Sequence, residues 1–248
     1  MEVHHHPHVG QKKFKEYFLE GLMIFLAVTM GFFAEQYREY VVDRSKEKEI
    51  IHSLIKDLEQ DKNTFSRLKK SQKENVLLPA DSVKILLSHP NLTSNDNSLY
   101  VNCRMYIRYA SFYTYISTKT ITQLRNINGF NLIENESVVD SIDAYYSYID
   151  KIRDLENNFF QQKQAFRNLL PLFLKSEMYD QVIDKNEDVI YPTGNLKAKN
   201  ISNDTRNELL IKVMEINGLG NVISFRLYNL DSKRERLSAF IKKVYHLN

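Results

Sequence analysis

The sequence predicts an all-α protein. One amino-terminal transmembrane helix continues into a long helix, and an extramembrane helical bundle with coiled-coil-like packing follows. Three observations carry this reading. Residues 17–34 read YFLEGLMIFLAVTMGFFA, apolar almost throughout. Gly (7) and Pro (5) are scarce in 248 residues, which disfavours a turn-rich β fold. Beyond residue 50, apolar side chains recur at steps of three and four, the period of a helix with one buried stripe.

The apolar segment comes first. As a helix it measures about 27 Å, just enough to cross a hydrocarbon core. Lys12, Lys13 and Lys15 precede it and a charged, helix-prone stretch follows. A core helix seldom sits apolar on every face beside a basic tail, so a membrane span is expected. No small-x-small cleavage signal lies near Ala34, which points to an uncleaved signal anchor. The expected divisions are a cytoplasmic His/Lys-rich tail (1–16), the transmembrane helix (17–34) and an extracytoplasmic helical domain (35–248). Basic residues flank both ends of the span, but a first span with a short basic tail leaves that tail inside, and long following domains translocate largely regardless of charge. The expected location is therefore a bacterial inner membrane, with the carboxy-terminal domain in the periplasm.

The following elements are read in order. Residues 35–75 continue the helix, with Ile51, Leu54, Leu58, Phe65 and Leu68 as its stripe and Asp61 as a polar exception. Pro79, Pro90 and the polar run Thr93 to Ser98 mark loops around a short helix at 81–88. Residues 100–116 read as a Tyr-rich helix, closed by a turn at Asn128-Gly129. Asn135 is placed to cap a long helix to about Leu174. Its stripe is Ile142, Tyr145, Ile149, Ile152, Phe159, Phe166 and Leu170, interrupted by Glu156 and Lys163. A surface loop spans 184–204, and Thr205 with Glu208 forms a capping-box pattern. The last helix carries the best periodic signal: Leu209, Val213, Ile216, Gly220, Ile223, Leu227, Leu230, Arg234, Leu237, Ile241 and Val244 step by four and three. This seam suits lengthwise packing, either within one bundle or between subunits. Gly218 and Gly220 suggest a kink or a point of close approach.

Candidate chemistry is sparse. The chain has no Gly-rich phosphate loop, no HExxH and no GxSxG, so no enzymatic activity and no cofactor is expected. A net charge of +3 disfavours nucleic acid as a partner. The single Cys103 excludes an intrachain disulfide framework and a cysteine-built zinc site. His4, His5, His6 and His8 form a cluster whose imidazoles can ligate Ni²⁺, Cu²⁺ or Zn²⁺, although a flexible tail fixes no geometry. Glu20 lies near the start of the span, where it can meet Lys13 or Lys15 at the headgroups or a basic group on a partner. Glu20, Ala27, Gly31 and Ala34 share one helix face, opposite Leu22, Phe25, Leu26, Phe32 and Phe33. Small residues let helix backbones approach in lipid, so this face is the candidate for membrane-helix association. Tyr106, Tyr109, Tyr113, Tyr115, Tyr145, Tyr146 and Tyr148 suit either core packing or a ligand pocket. Arg104, Arg108 and Arg125 lie near them and can bind an anion. No small-molecule substrate is identified.

The stretch from His4 to Asp61 resembles the start of an uncharacterised family of Gram-negative bacterial single-span membrane proteins, a domain of unknown function. The shared features are the His-Pro-His tail (His4 to His8), the FKEYFLE lead-in (Phe14 to Glu20), the GFFAE end of the anchor (Gly31 to Glu35) and the KEKE element (Lys46 to Glu49). Residues 124–146, where a Gly turn leads into a Tyr-rich helix, are also similar. The resemblance implies one amino-terminal anchor with a helical extracytoplasmic domain, and no activity. The expected partners are membrane lipid and other transmembrane helices, from a second copy or a larger inner-membrane complex. The expected role is that of a scaffold or accessory subunit. The alternatives are a periplasmic ligand-binding or sensory bundle that signals through a partner, and metal binding by the tail.

Overall fold

Helix α1 (Phe14–Gln72) opens the described part of the chain. The computed structural model describes residues 14–89, 96–108, 116–126 and 129–247, with the backbone alone at 72, 75 and 76. The chain divides into two units at Ile50 and Ile51, within α1.

In the first unit, residues 14–42 are exposed at nearly every position, including Met23, Phe25, Phe32 and Phe33. This one helix is long and apolar enough to cross a membrane. Within it the Thr29 hydroxyl donates to the Phe25 carbonyl at 2.7 Å, so its polar group is satisfied inside the helix. The following turns carry exposed Arg38–Glu35 and Lys46–Asp43 pairs at i,i+3, while Arg44 pairs at the same spacing with Glu47, which is buried.

The second unit is all helical, without strands among the described residues. Beyond α1 and a π-helical turn (Lys73–Leu77) come α2 (Leu78–Ser88), α3 (Asp96–Arg108), α4 (Lys119–Asn126), α5 (Glu136–Phe173), α6 (Ser176–Tyr179) and α7 (Asn203–Tyr245). A single β-bridge, Ile183 to Val189, closes a small turn after α6. The core is the set of stripes read from the sequence. Ile51, Leu54, Leu58, Phe65 and Leu68 of α1 are buried, as are Ile142, Tyr145, Ile149, Ile152, Phe159, Phe166 and Leu170 of α5. Burial of each large apolar side chain stabilises by roughly 1.5–3 kcal/mol before chain entropy is set against it.

Helix α7 runs antiparallel to both long partners. Lys69 meets Asp231 while Glu59 meets Lys242, so α7 descends as α1 rises. Lys212 donates to Gln162 while Lys233 lies over the Tyr148 ring, which sets the same sense against α5. Gly220 is the point of close approach. A Cβ there would lie 3.3 Å from a Leu77 methyl and 3.4 Å from the Phe159 ring, while one at Gly218 would meet nothing within 4 Å. The helix runs unbroken through both glycines.

Caps fix the ends. The Asn135 side chain accepts from the Val138 N–H at 3.2 Å, as the sequence leads one to expect. At α7 the cap is Ser202 and not Thr205: the Ser202 hydroxyl oxygen accepts from the Thr205 N–H at 3.1 Å, so the helix starts one turn earlier. Helix α3 likewise begins inside the polar run, at Asp96. Its side chains are spent on the 194–198 segment: Asp96 accepts from Ala198 N–H, and Asn97 accepts from Leu196 N–H and donates to the Gly194 carbonyl. Of the expected helix over 100–116, the stretch to Arg108 is helical, residues 109–115 lie outside the described residues, and Ile116 lies in a bend.

Candidate functional site

Every polar exception in the apolar stripes turns out to be a buried charge. Asp61 is 0% exposed, Lys163 2%, Arg234 4% and Glu156 6%. A buried ionisable group is costly unless partnered, so each requires a local account.

Asp57 and Asp61 lie one turn apart on α1 and face the start of α4. Asp61 Oδ1 accepts from the Ser117 N–H at 2.8 Å, and Asp57 Oδ2 accepts from the Thr120 N–H at 3.1 Å. Two carboxylates of α1 thereby take up donors at the amino-terminal end of α4, which that short helix cannot satisfy itself. Asp61 Oδ2 has no hydrogen-bond partner among the described residues, and neither do the Tyr145 and Tyr146 hydroxyls. Burial pushes the Asp61 carboxyl up to about 7, with Asp57 adding to the rise, while the Ser117 hydrogen bond and Arg234 oppose it. The two tyrosine rings meet edge to face at 5.1 Å. Burial raises both phenols. The Tyr145 and Tyr146 pair is thus mainly core. Tyr145 alone reaches a small cleft of about 270 Å³ with Lys233, Arg236 and Phe240. Tyr109, Tyr113 and Tyr115 lie outside the described residues.

Arg234 pairs with Asp231 at 3.0 Å and with Glu235 at 3.2 Å, and Asp231 also holds Lys69 of α1 at 2.7 Å. Lys163 lies 5.4 Å from the centre of the Tyr106 ring and 5.5 Å from that of Phe159, and burial pushes its amine down to about 7.

The α7 seam is filled within the chain. Leu209, Val213, Ile216, Ile223, Leu227, Leu230, Leu237 and Ile241 are buried, and Val244 is half-buried. A second stripe on α7, which the strength of the first one masks in the sequence, faces outward. Ile211, Met214, Gly218, Asn221, Phe225 and Tyr228 step by three and four, and all are exposed; Val222 lies beside them. Phe225 is 63% exposed and Tyr228 62%, far above what a bundle surface needs for packing.

A cleft at the other end of α5 gathers arginines. Arg104 and Arg108 of α3 meet Arg167 of α5 across a cavity of about 690 Å³, with Tyr179 and an apolar lining of Ile107, Phe160 and Ile183. Arg104 lies over the Tyr179 ring at 4.5 Å. Arg108 pairs with Asp188 at 3.7 Å. Arg125, expected beside them, instead pairs with Asp150 at 3.8 Å. Arg167 missed notice because nothing in the sequence links it to residues some sixty positions earlier.

On the anchor, Glu20, Ala27, Gly31 and Ala34 are all exposed, and a Cβ on Gly31 would meet nothing within 4 Å. His4, His5, His6 and His8 lie outside the described residues, and no group of three His, Cys, Asp or Glu among the described residues is arranged to hold a metal ion. Compared with protein-family models, curated proteins and solved structures, the chain matches none.

Proposed function

We propose that the protein is a non-enzymatic, single-pass inner-membrane protein that serves as a scaffold or accessory subunit and associates with a second copy of itself. The amino terminus lies in the cytoplasm and the helical bundle in the periplasm. The outward stripe of α7 carries this reading. It is a heptad face of Ile211, Met214, Gly218, Asn221, Phe225 and Tyr228, exposed on a helix whose other seam is already full. Contiguous exposed apolar surface on a folded domain marks an interaction site. A second copy presents the same register, so each residue can face its counterpart in a parallel pair. Chains anchored in one bilayer through the same segment bring like ends together. The face of Ala27, Gly31 and Ala34 supplies a matching close approach within the lipid.

Oxidative crosslinking in native membranes tests this. Cys103, the only cysteine, is buried, so a new surface thiol reports alone. Phe225→Cys is expected to give a covalent dimer, and Asp154→Cys, exposed on α5, is expected to stay monomeric. No dimer from Phe225→Cys, or equal yields from the two variants, refutes self-pairing. Adducts of other masses assign the stripe to a different subunit.

A further inference from the structure

The arginine cleft is the strongest feature that an anchored scaffold leaves unused. Among the described residues no carboxylate pairs with Arg104 or Arg167. Arg104 lies over the Tyr179 ring, 4.5 Å from its centre, a cation–π contact that holds the guanidinium at the cleft. Arg104, Arg167 and Tyr179 line the same cavity, where burial raises the Tyr179 phenol and both arginines oppose that rise. A second cavity of about 380 Å³ shares Arg167, Tyr179 and Asp180 with the first and adds Lys175 and Lys199. Lys199 is held there by its bond to the Pro171 carbonyl at 2.8 Å.

Five bases, Arg104, Arg108, Arg167, Lys175 and Lys199, line the two cavities against three acids, Asp180, Asp184 and Glu187, and among the described residues no acid pairs with Arg104 or Arg167. Asp184 Oδ1 is taken by the Asn186 and Asp188 N–H groups. Asp188 is held by Arg108. Asp180 and Glu187 line the larger cavity without pairing to Arg104 or Arg167. Guanidinium forks match the geometry of carboxylate and phosphate oxygens, and each of the two cavities has the size of small-molecule sites. Ile107, Phe160 and Ile183 give an apolar body somewhere to rest.

We propose that this cleft binds a small organic oxyanion, a carboxylate or phosphate ester with an apolar body, gripped between Arg104 and Arg167 beside Tyr179. This site is independent of pairing through α7. The test is calorimetric titration of the full chain in neutral detergent with phenyl phosphate and with 3-phenylpropionate, against benzyl alcohol as a neutral probe of the same body. At least one anion is expected to bind saturably and to weaken as salt is added. Arg167→Gln and Arg104→Gln are each expected to weaken it about tenfold or more. Arg167→Lys, which keeps the charge and loses the fork, is expected to fall between. Arg125→Gln, outside the cleft, should leave it unchanged. Arg167 is exposed, so its variants are expected to keep their helical signal. The tighter anion names the headgroup. The proposal is overturned if neither anion binds more tightly than benzyl alcohol, or if binding survives the Arg104→Gln, Arg167→Gln double variant.

Discussion

Replacement of Asp61 by Asn isolates one buried charge. The Asn side chain keeps the shape and the oxygen that accepts from Ser117 N–H, and it cannot ionise. In the folded chain the Asp61 carboxyl lies at about 7, against an ordinary 3.8. That difference of about three, at ~1.4 kcal/mol for each, comes to about 4 kcal/mol. The sign follows from the direction. A raised carboxyl contributes stability that is fully present below 3.8 and is lost as pH rises through about 7. Wild type therefore loses about 4 kcal/mol from this group between pH 4 and pH 8, and the Asn variant does not. Urea unfolding of the full chain in detergent, followed by helical circular dichroism at pH 4, 5, 6, 7 and 8, measures the difference. The two proteins should be nearly equal at pH 4, with the variant well ahead at pH 8. A difference that stays constant across the range refutes the reasoning, and a less stable variant at pH 8 refutes it more strongly.

Four further outcomes are expected. Lys163→Met should abolish a slope of opposite sign: the lowered amine contributes stability that is full above 10.5 and is lost as pH falls through about 7, which urea unfolding extended from pH 7 up to about 10.5 resolves. Gly218→Ala should stabilise by about 0.5–1 kcal/mol because a Cβ there meets nothing, while Gly220→Ala should fall short of that gain, since its Cβ crowds Leu77 and Phe159; paired urea midpoints compare them. Ser202→Ala should cost about 1 kcal/mol, and Thr205→Ala less, in the same assay. Tyr100→Phe should cost roughly 1–3 kcal/mol, because its buried hydroxyl accepts from the Lys175 N–H and donates to the Lys197 carbonyl, and amide exchange at Lys175 should quicken.

The long elements were legible because period and burial say the same thing. The stripes of α1, α5 and α7 are buried at nearly every position named, and even their polar interruptions mark true core positions. What was less legible was set by tertiary partners. Ser202-x-x-Thr205 and Thr205-x-x-Glu208 are both plausible caps, and the sequence alone does not rank them. Asp96 and Asn97 read as loop residues by composition, yet their side chains organise another loop and their backbone is helical. Asp61 reads as a polar exception in the α1 stripe, but what it and Asp57 bind is seen only once the start of α4 is packed against them. Of the cleft, Arg104 and Arg108 were visible as a one-turn pair on α3, while Arg167 and Tyr179 required the packing of α3 against the far end of α5. The outer stripe of α7 is a weaker heptad on a helix that already carries a perfect one, so the first pattern hides the second.

Cys103 offers a clock. Its thiol is fully buried on α3, and burial holds it in the unreactive protonated form. Surface reagents reach it only when α3 lifts away from α2 and α5. At a fixed pH, the rate at which a large thiol reagent labels the untouched protein thus reports openings of that corner, without denaturant. Because Tyr100 ties the same helix to Lys175 beside the arginine cleft, an anion that settles there should slow the clock.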